Sequence, residues 1–164
     1  MPAHSGVGSA APSAASSSAS STAASVILIG GGKAQVSEPA AVRDLYASPL
    51  FARRRARAEA SGVPWFVVSG RWGLLAPGDV LAPYSFSFAE QSVNYKRAWG
   101  RFVAEQLCVV SSIGRGDVVE ICATDAYAAA LAAPIQYLGA HVRRADVGAS
   151  DAADELDHSL RSDR

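Results

Sequence analysis

The residues best suited to chemistry in this chain lie just beyond two short apolar runs. Val26-Ile27-Leu28-Ile29 ends in Gly30-Gly31-Gly32-Lys33, and Trp65-Phe66-Val67-Val68 leads into Ser69 and a loop that continues to Pro83-Tyr84. Each run reads as a buried strand, so each set of polar groups stands where a strand gives way to a loop. In open α/β sheets, ligands sit at the carboxyl ends of the strands. Glycines let a backbone approach a ligand and turn its N–H groups toward an anion, and a lysine adds a point charge. Lys33 therefore has three readings: an exposed lysine on a tight turn, a phosphate or carboxylate site, or a nucleophile. The spacing is not that of a Walker motif, and no Ser or Thr follows the lysine. Ser69 is the leading candidate for a polar contact with a ligand. No His or Asp stands near it in a triad-like order, and the local string is not Gly-x-Ser-x-Gly, which argues against a hydrolytic serine.

Three further groups belong to the same argument. Trp72 is placed either to stack on a ring or to cover the core. Asp79, Pro83 and Tyr84 fix the loop, with Asp79 better suited to capping a turn than to acid–base work. Asp125 and Tyr127 open a helix after a third apolar run, Val118-Val119-Glu120-Ile121-Cys122-Ala123, where a ligand would meet a helix N-terminus. An aspartate there is also an ordinary cap. His4, His141 and His158 show no pairing that suggests catalysis, and no His/Cys cluster has the spacing of a metal site. No metal and no cofactor is expected.

The elements that must position these residues follow from the pattern. The first strand is followed by a short helix predicted from Pro39 through Tyr46, then by a helix from Pro49 to about Ser61. Ser48 is the cap of that second helix, Pro49 its first residue and Gly62 its end. The second strand is about Pro64 to Ser69. Tyr95, Trp99, Phe102, Val103 and Leu107 fall at helical spacing, which predicts a helix of about Val93 to Val110. Gly114-Arg115-Gly116-Asp117 is a turn into the third strand. A helix carrying Tyr127, Leu131 and Ile135 follows, with a kink expected near Pro134. His141 to Val147 reads as a last short strand. Strands alternating with helices predict a single-domain three-layer α/β sandwich with a mostly parallel sheet of about four strands. The domain is read as 25–147. Residues 1–24 are an Ala/Ser-rich tail with too little apolar surface to order itself, and 148–164 are an acidic polar tail.

The chain has 164 residues, enough for one core. Lys and Arg together number 15, as do Asp and Glu, so no net charge favours bulk binding to nucleic acid. A local route remains through Arg53, Arg54, Arg55 and Arg57, read either as a broad basic collar that meets phosphates or as a solvated surface. Cys108 and Cys122 are read as two buried, reduced thiols. No apolar run is long enough to span a membrane and no secretory signal is evident, so a cytoplasmic location is expected.

Three blocks carry a resemblance. They are Gly30 to Lys33 with Ala40 through Phe51, the string Ser69-Gly70-Arg71-Trp72-Gly73-Leu74-Leu75-Ala76-Pro77-Gly78-Asp79-Val80-Leu81-Ala82-Pro83-Tyr84, and the unit around Asp125-Ala126-Tyr127. Together they resemble a bacterial and phage domain family of unknown function. The second block is also similar to the YaaA peroxide-stress family. More distantly, the lysine loop and the Tyr-x-Ser segment resemble the catalytic domain of archaeosine synthase, where a lysine adds to a nitrile on a tRNA base. The resemblance implies that Tyr46 and Ser48 face the site and that Arg43 pairs with an anion or with Asp44. Family members place a Cys or Ser ahead of the lysine loop, often with two lysines. Here Gly30, Gly31 and Gly32 occupy that stretch and Lys33 stands alone. The usual C-terminal closing element is missing as well.

The expectation is thus a nucleotide, nucleoside or nucleobase site. Lys33, Ser69 and Asp125 would act in it, and Gly31, Gly32, Arg43, Tyr46, Ser48, Trp72, Tyr84 and Tyr127 would bind the ligand. A transferase or a glycosidic-bond hydrolase would suit such a site. The alternatives are a non-catalytic, stress-related protein that binds DNA or RNA, and a degenerate scaffold domain.

Overall fold

Strand β1 (Val26–Gly30) is buried along its whole length, as a strand with neighbours on both sides must be. The computed structural model describes residues 23–145. After β1 come β2 (Ala40–Ala41), α1 (Val42–Leu45), α2 (Pro49–Ser61), β3 (Trp65–Ser69), β4 (Gly73–Leu75), β5 (Val80–Leu81), α3 (Val93–Ser111), β6 (Val118–Cys122), α4 (Asp125–Tyr137) and β7 (His141–Arg144). The main sheet has the order β4-β3-β1-β6-β7. β1 pairs in parallel with β3 and β6, β6 pairs in parallel with β7, and only β4 runs antiparallel. The fold is therefore a single mixed α/β domain around a five-stranded, mostly parallel sheet.

Alternate residues of β1 enter two separate cores, which follows from the two-residue period of a strand. Val26 and Leu28 pack with Trp99, Val103 and Leu107 of α3 and with Leu131 and Ile135 of α4. Ile27 and Ile29 pack with Val42 and Leu45 of α1 and with Phe51 of α2. Each fully buried aliphatic side chain contributes roughly 1.5–3 kcal/mol, so these clusters hold the helices to the sheet.

The helix punctuation follows local chemistry. Ser48 Oγ accepts the Phe51 N–H at 3.1 Å, Pro49 occupies the first turn, and Gly62 ends α2 in the left-handed region at φ 72°. Ser92 Oγ accepts the Tyr95 N–H at the start of α3.

Four expectations are corrected. The sheet has five strands, not about four, because the tight turn after Ser69 lets Gly73-Leu74-Leu75 fold back on β3. The helix expected from Pro39 is only Val42–Leu45, because Ala40 and Ala41 pair instead with Leu81 and Val80. That two-stranded pairing is a tertiary choice which outweighs alanine's helical preference. Cys108 is exposed rather than buried, since it lies off the α3 face that carries Trp99, Val103 and Leu107. The last strand ends at Arg144. Of the tail readings, residues 1–22 of the 1–24 tail and all of 148–164 lie outside the described residues.

Helices α3 and α4 cross at a glycine. A Cβ on Gly100 would stand 2.1 Å from the carbonyl oxygen of Ala130. That carbonyl is the one whose helical donor is missing, because Pro134 four residues later has no N–H. The backbone of α3 thus fits against the part of α4 that Pro134 leaves open, and α4 continues through the proline to Tyr137. Alanine normally stabilises a helix over glycine by about 1 kcal/mol. Here Gly100→Ala should instead destabilise the protein by about 1–3 kcal/mol in urea unfolding, because the helices must separate to admit the methyl group.

Candidate functional site

The carboxyl ends of β1, β3 and β6 meet at one end of the sheet, and the loops that leave them pack on one another. Gly31 runs across the ring of Tyr46: a Cβ there would meet Tyr46 Cζ at 2.7 Å. A Cβ on Gly32 would lie 3.8 Å from Ser48 Oγ. A side chain at Gly31 would therefore displace the Tyr46 ring, which makes this glycine a requirement of close approach. Gln35 ties the glycine loop to the long loop. Its Oε1 accepts the Tyr84 N–H at 2.9 Å and its Nε2 donates to the Gly32 carbonyl at 3.5 Å.

Beneath these loops lie three hydroxyls. Tyr84 Oη is 2.6 Å from Tyr46 Oη and 2.7 Å from Ser69 Oγ. Ser69 Oγ also accepts the Trp72 N–H at 3.2 Å, which turns the chain sharply after β3. Ser69 and Tyr46 are buried, and Tyr84 is half-buried. Burial pushes the Tyr46 phenol far above its ordinary value, the Tyr84 phenol adds to the rise, and Ser69 pulls back against it. Tyr46 is therefore neutral at any biological pH. It can orient a polar group by hydrogen bonding but cannot act as a phenolate base.

The turn after Ser69 is held from the opposite side by aromatic residues. Trp99 Nε1 donates to the Ser69 carbonyl at 2.9 Å, and Tyr95 Oη donates to the Gly70 carbonyl at 2.7 Å. The Gly70 N–H donates to Tyr127 Oη at 2.9 Å. Tyr127 is itself stacked on Phe88, with ring centroids 4.4 Å apart. Desolvation raises the Tyr127 phenol to about 12, so it stays a neutral hydrogen-bonding group. Gly70 admits no side chain either, because a Cβ would stand 2.8 Å from Phe86 and Phe88.

The structure thus brings together Gly31, Gly32, Tyr46, Ser48, Ser69, Trp72 and Tyr84, with Tyr127 behind them. Trp72 is 44% exposed, meets Tyr84 edge-on at 6.3 Å, and carries the Arg71 guanidinium over its ring, 5.0 Å from the centroid. Lys33 is exposed next to this group. Ser48 Oγ is occupied as the helix cap. Arg43 and Asp125 are both exposed and ion-paired. Arg43 pairs with Asp44 at 3.8 Å, and Asp125 is an exposed carboxylate paired with Arg144. Asp79 closes a turn, its Oδ2 accepting the Ala76 N–H at 2.8 Å. Among the described residues, no cluster of His, Cys, Asp and Glu has the makings of a metal site.

The basic segment of α2 is not a continuous exposed collar. Arg54 is buried, Arg55 pairs with Asp44 and Glu59, and Arg57 pairs with Glu120 at 2.5 Å. Of the four arginines, Arg53 is the one exposed without an ion pair among the described residues.

A family model matches residues 26–148, from the start of β1 past the end of β7. The chain belongs to DUF6884, a family of unknown function. No curated protein matches the sequence. The DUF6884 match carries no link to the YaaA family or to archaeosine synthase. Among the described residues of this DUF6884 domain, no helix is long and apolar enough to cross a membrane.

Sequence reasoning missed Gln35, Tyr95, Trp99 and Glu120. The last left a visible signal: a lone acid in the apolar strand Val118-Val119-Glu120-Ile121-Cys122. Glu120 is buried and bonds to Arg57 and, at 2.6 Å, to Arg143, which ties α2 and β7 to β6. Cys122 lies beside this group, its Sγ 3.3 Å from Arg57 Nη1. Burial and the Glu120 charge push the Cys122 thiol up, so it is not an activated nucleophile.

Burial alone would raise the Glu120 carboxyl, but Arg57 and Arg143 outweigh it and hold the group below its ordinary value. A carboxyl lowered in the folded state stabilises the fold above its unfolded value of about 4.3, and loses that contribution as pH falls through the folded value. Glu120→Gln should therefore weaken the fold at pH 7, and the gap to wild type should narrow in urea unfolding at pH 3. Tyr127→Phe should cost about 1–3 kcal/mol by leaving the Gly70 N–H buried without its acceptor, which chemical denaturation would read.

Proposed function

We propose that this domain binds a nucleotide, nucleoside or nucleobase at the carboxyl ends of β1 and β3. The observation that carries the reading is the joining of a glycine backbone, an exposed lysine and an exposed tryptophan over a floor of neutral hydroxyls. Lys33 and the Gly31-Gly32 backbone suit an anionic group such as a phosphate. Trp72 suits a flat ring, and Ser69 with Tyr84 and Tyr46 suits its polar edge without demanding charge. A transferase or a glycosidic-bond hydrolase is the enzymatic form of this proposal, with Lys33 as its one exposed reactive group. The three-layer arrangement belongs to the same reading, with α1 and α2 on one face of the sheet and α3 and α4 on the other. So does a cytoplasmic setting. A stress-related role rests on the YaaA resemblance alone.

Nucleic-acid binding through α2 has less support, since three of its four arginines are buried or paired. Of those four, Arg53 remains for phosphate contacts. The scaffold reading draws on the hydroxyl group itself, whose members satisfy one another.

A thermal-shift screen separates these readings. Wild type, Lys33→Ala and Trp72→Ala would be heated with nucleobases, nucleosides, nucleotides, short DNA and tRNA. Ligand at about one hundred times its dissociation constant adds about 2.7 kcal/mol. The wild-type midpoint should then rise by several degrees with one small-molecule class. Both variants should lose that rise. A shift with nucleic acid that survives Lys33→Ala and vanishes in high salt would replace the proposal with nucleic-acid binding. No shift with any compound would replace it with the scaffold.

A further inference from the structure

We infer that residues 146–164 fold back as a helix onto the sheet face beside α2, covering β6 and β7 and setting carboxylates against an arginine cluster. Strand register defines that face. Glu120 stands level with Ile27, Cys122 with Ile29, and Arg143 with Glu120. Partners in neighbouring strands point to the same side of a sheet. Glu120, Cys122 and Arg143 therefore share the side on which Ile27 and Ile29 meet α1 and α2. Over β1 that side is apolar and covered. Over β6 and β7 it carries Glu120, Arg143 and the exposed His141. β7 is the last described element, and its Val142 joins the other core, with α3 and α4. Mostly parallel sheets have both faces covered, so the β6–β7 half calls for one more element.

Charge states what kind of segment fits. Arg57 of α2 and Arg143 of β7 both bond to Glu120, at 2.5 and 2.6 Å. Arg54 is buried three residues before Arg57, a spacing that puts both on one side of the helix. Its charge bears on the Cys122 thiol. Three guanidinium groups thus gather around the one carboxylate of Glu120, and the cluster is cationic. The Arg57 and Arg143 side chains are 55% and 39% exposed, so their outer N–H groups can donate to further carboxylates. Their stems give a neighbouring helix an apolar bed.

The chain itself delivers an acidic, amphipathic segment to this place. The Ala145 N–H donates to the Ile121 carbonyl at 3.1 Å, and Ala145 packs with the α1–α2 core. Residues 146–160 include Asp146, Asp151, Asp154, Glu155 and Asp157 and no Lys or Arg. Ala149, Ala153, Leu156 and Leu160 recur at spacings of four, three and four, which is one face of a helix. On such a helix Asp154 and Asp157 border the apolar stripe, and Asp151 and Glu155 fall on the opposite side. A helix over 149–160 is about 18 Å long, and the five residues of β6 span about 17 Å. The segment therefore matches the uncovered strands in reach and the arginine cluster in charge. An acidic partner from elsewhere would have to displace a segment already tethered at the site.

Hydrogen exchange on the full chain, read by mass spectrometry, tests the inference. An isolated helix shorter than about 12–15 residues is marginal in water, so slow exchange in 149–160 reports docking rather than local folding. Wild type should show it at low and at high protein concentration alike. Asp154→Asn/Asp157→Asn should speed exchange there by about tenfold. Asp151→Asn/Glu155→Gln removes the same charge from the outward side and should change it by less than about twofold. Leu156→Asp should abolish the protection and at the same time speed exchange in α2 and β7, with β1 unchanged as proof that the domain is folded. Fast exchange of 149–160 in the wild type would overturn the inference. So would protection indifferent to Asp154→Asn/Asp157→Asn, or a Leu156→Asp variant that leaves α2 and β7 as they were. Protection that appears only at high concentration would overturn it in favour of a second copy.

Discussion

The hydrogen bonds to the backbone of Ser69 and Gly70 are the constraint on which this molecule turns. A chain leaving a buried strand exposes peptide groups that no neighbouring strand can take, and each costs free energy unless it finds a partner. Here the Ser69 carbonyl is taken by Trp99, the Gly70 carbonyl by Tyr95 and the Gly70 N–H by Tyr127. These donors and acceptors come from α3 and α4, two helices that lie far along the chain. The turn after β3 can be sharp only because both helices are in place. The sharp turn in turn aims Ser69 at Tyr84, seats Trp72 at the surface and brings Gly73 back onto the sheet.

The candidate site accordingly has a rigid half and an open half. The rigid half is the set of three mutually bonded hydroxyls, with a glycine backbone laid across one of their rings. Its Tyr46 and Ser69 are buried and its Tyr84 is half-buried, with Tyr84 bonded to both. The open half is the exposed pair Lys33 and Trp72 with Arg71. Charge and ring stacking are available at the surface, and orientation is supplied from beneath. That division suits recognition of a molecule with an anionic end and a flat end.

Much of the fold was legible in the residues. β1, β3 and β6 announce themselves as apolar runs, and α2 was bounded correctly by Ser48, Pro49 and Gly62 because capping is local chemistry. The elements that escaped are those whose partner is distant. β4 is three residues long, and Ala40-Ala41 becomes a strand only because Val80-Leu81 lies beside it. The site divides in the same way. Gly31, Ser69, Trp72 and Tyr84 stand out by position after a strand or by motif. Gln35 and Tyr95 do not, since a polar side chain that spans 49 residues to Tyr84, or 25 to Gly70, leaves no local trace. Arg43 pairs with Asp44, one of the two partners expected for it, and Asp125 pairs with Arg144. The arginines of α2 were read as a collar because a helix turns consecutive residues to different sides, and what the sequence does not show is that the fold buries Arg54 and pairs Arg55 and Arg57.

The aromatic grip on Gly70 also has a kinetic meaning. An amide held by a buried phenol between two core helices can meet solvent only when that helix layer opens, so it belongs to the slowest-exchanging unit of the domain. The glycine loop is pinned separately, by the Gly31 N–H donating to the Val68 carbonyl at 3.0 Å and by Gln35 bridging Gly32 and Tyr84.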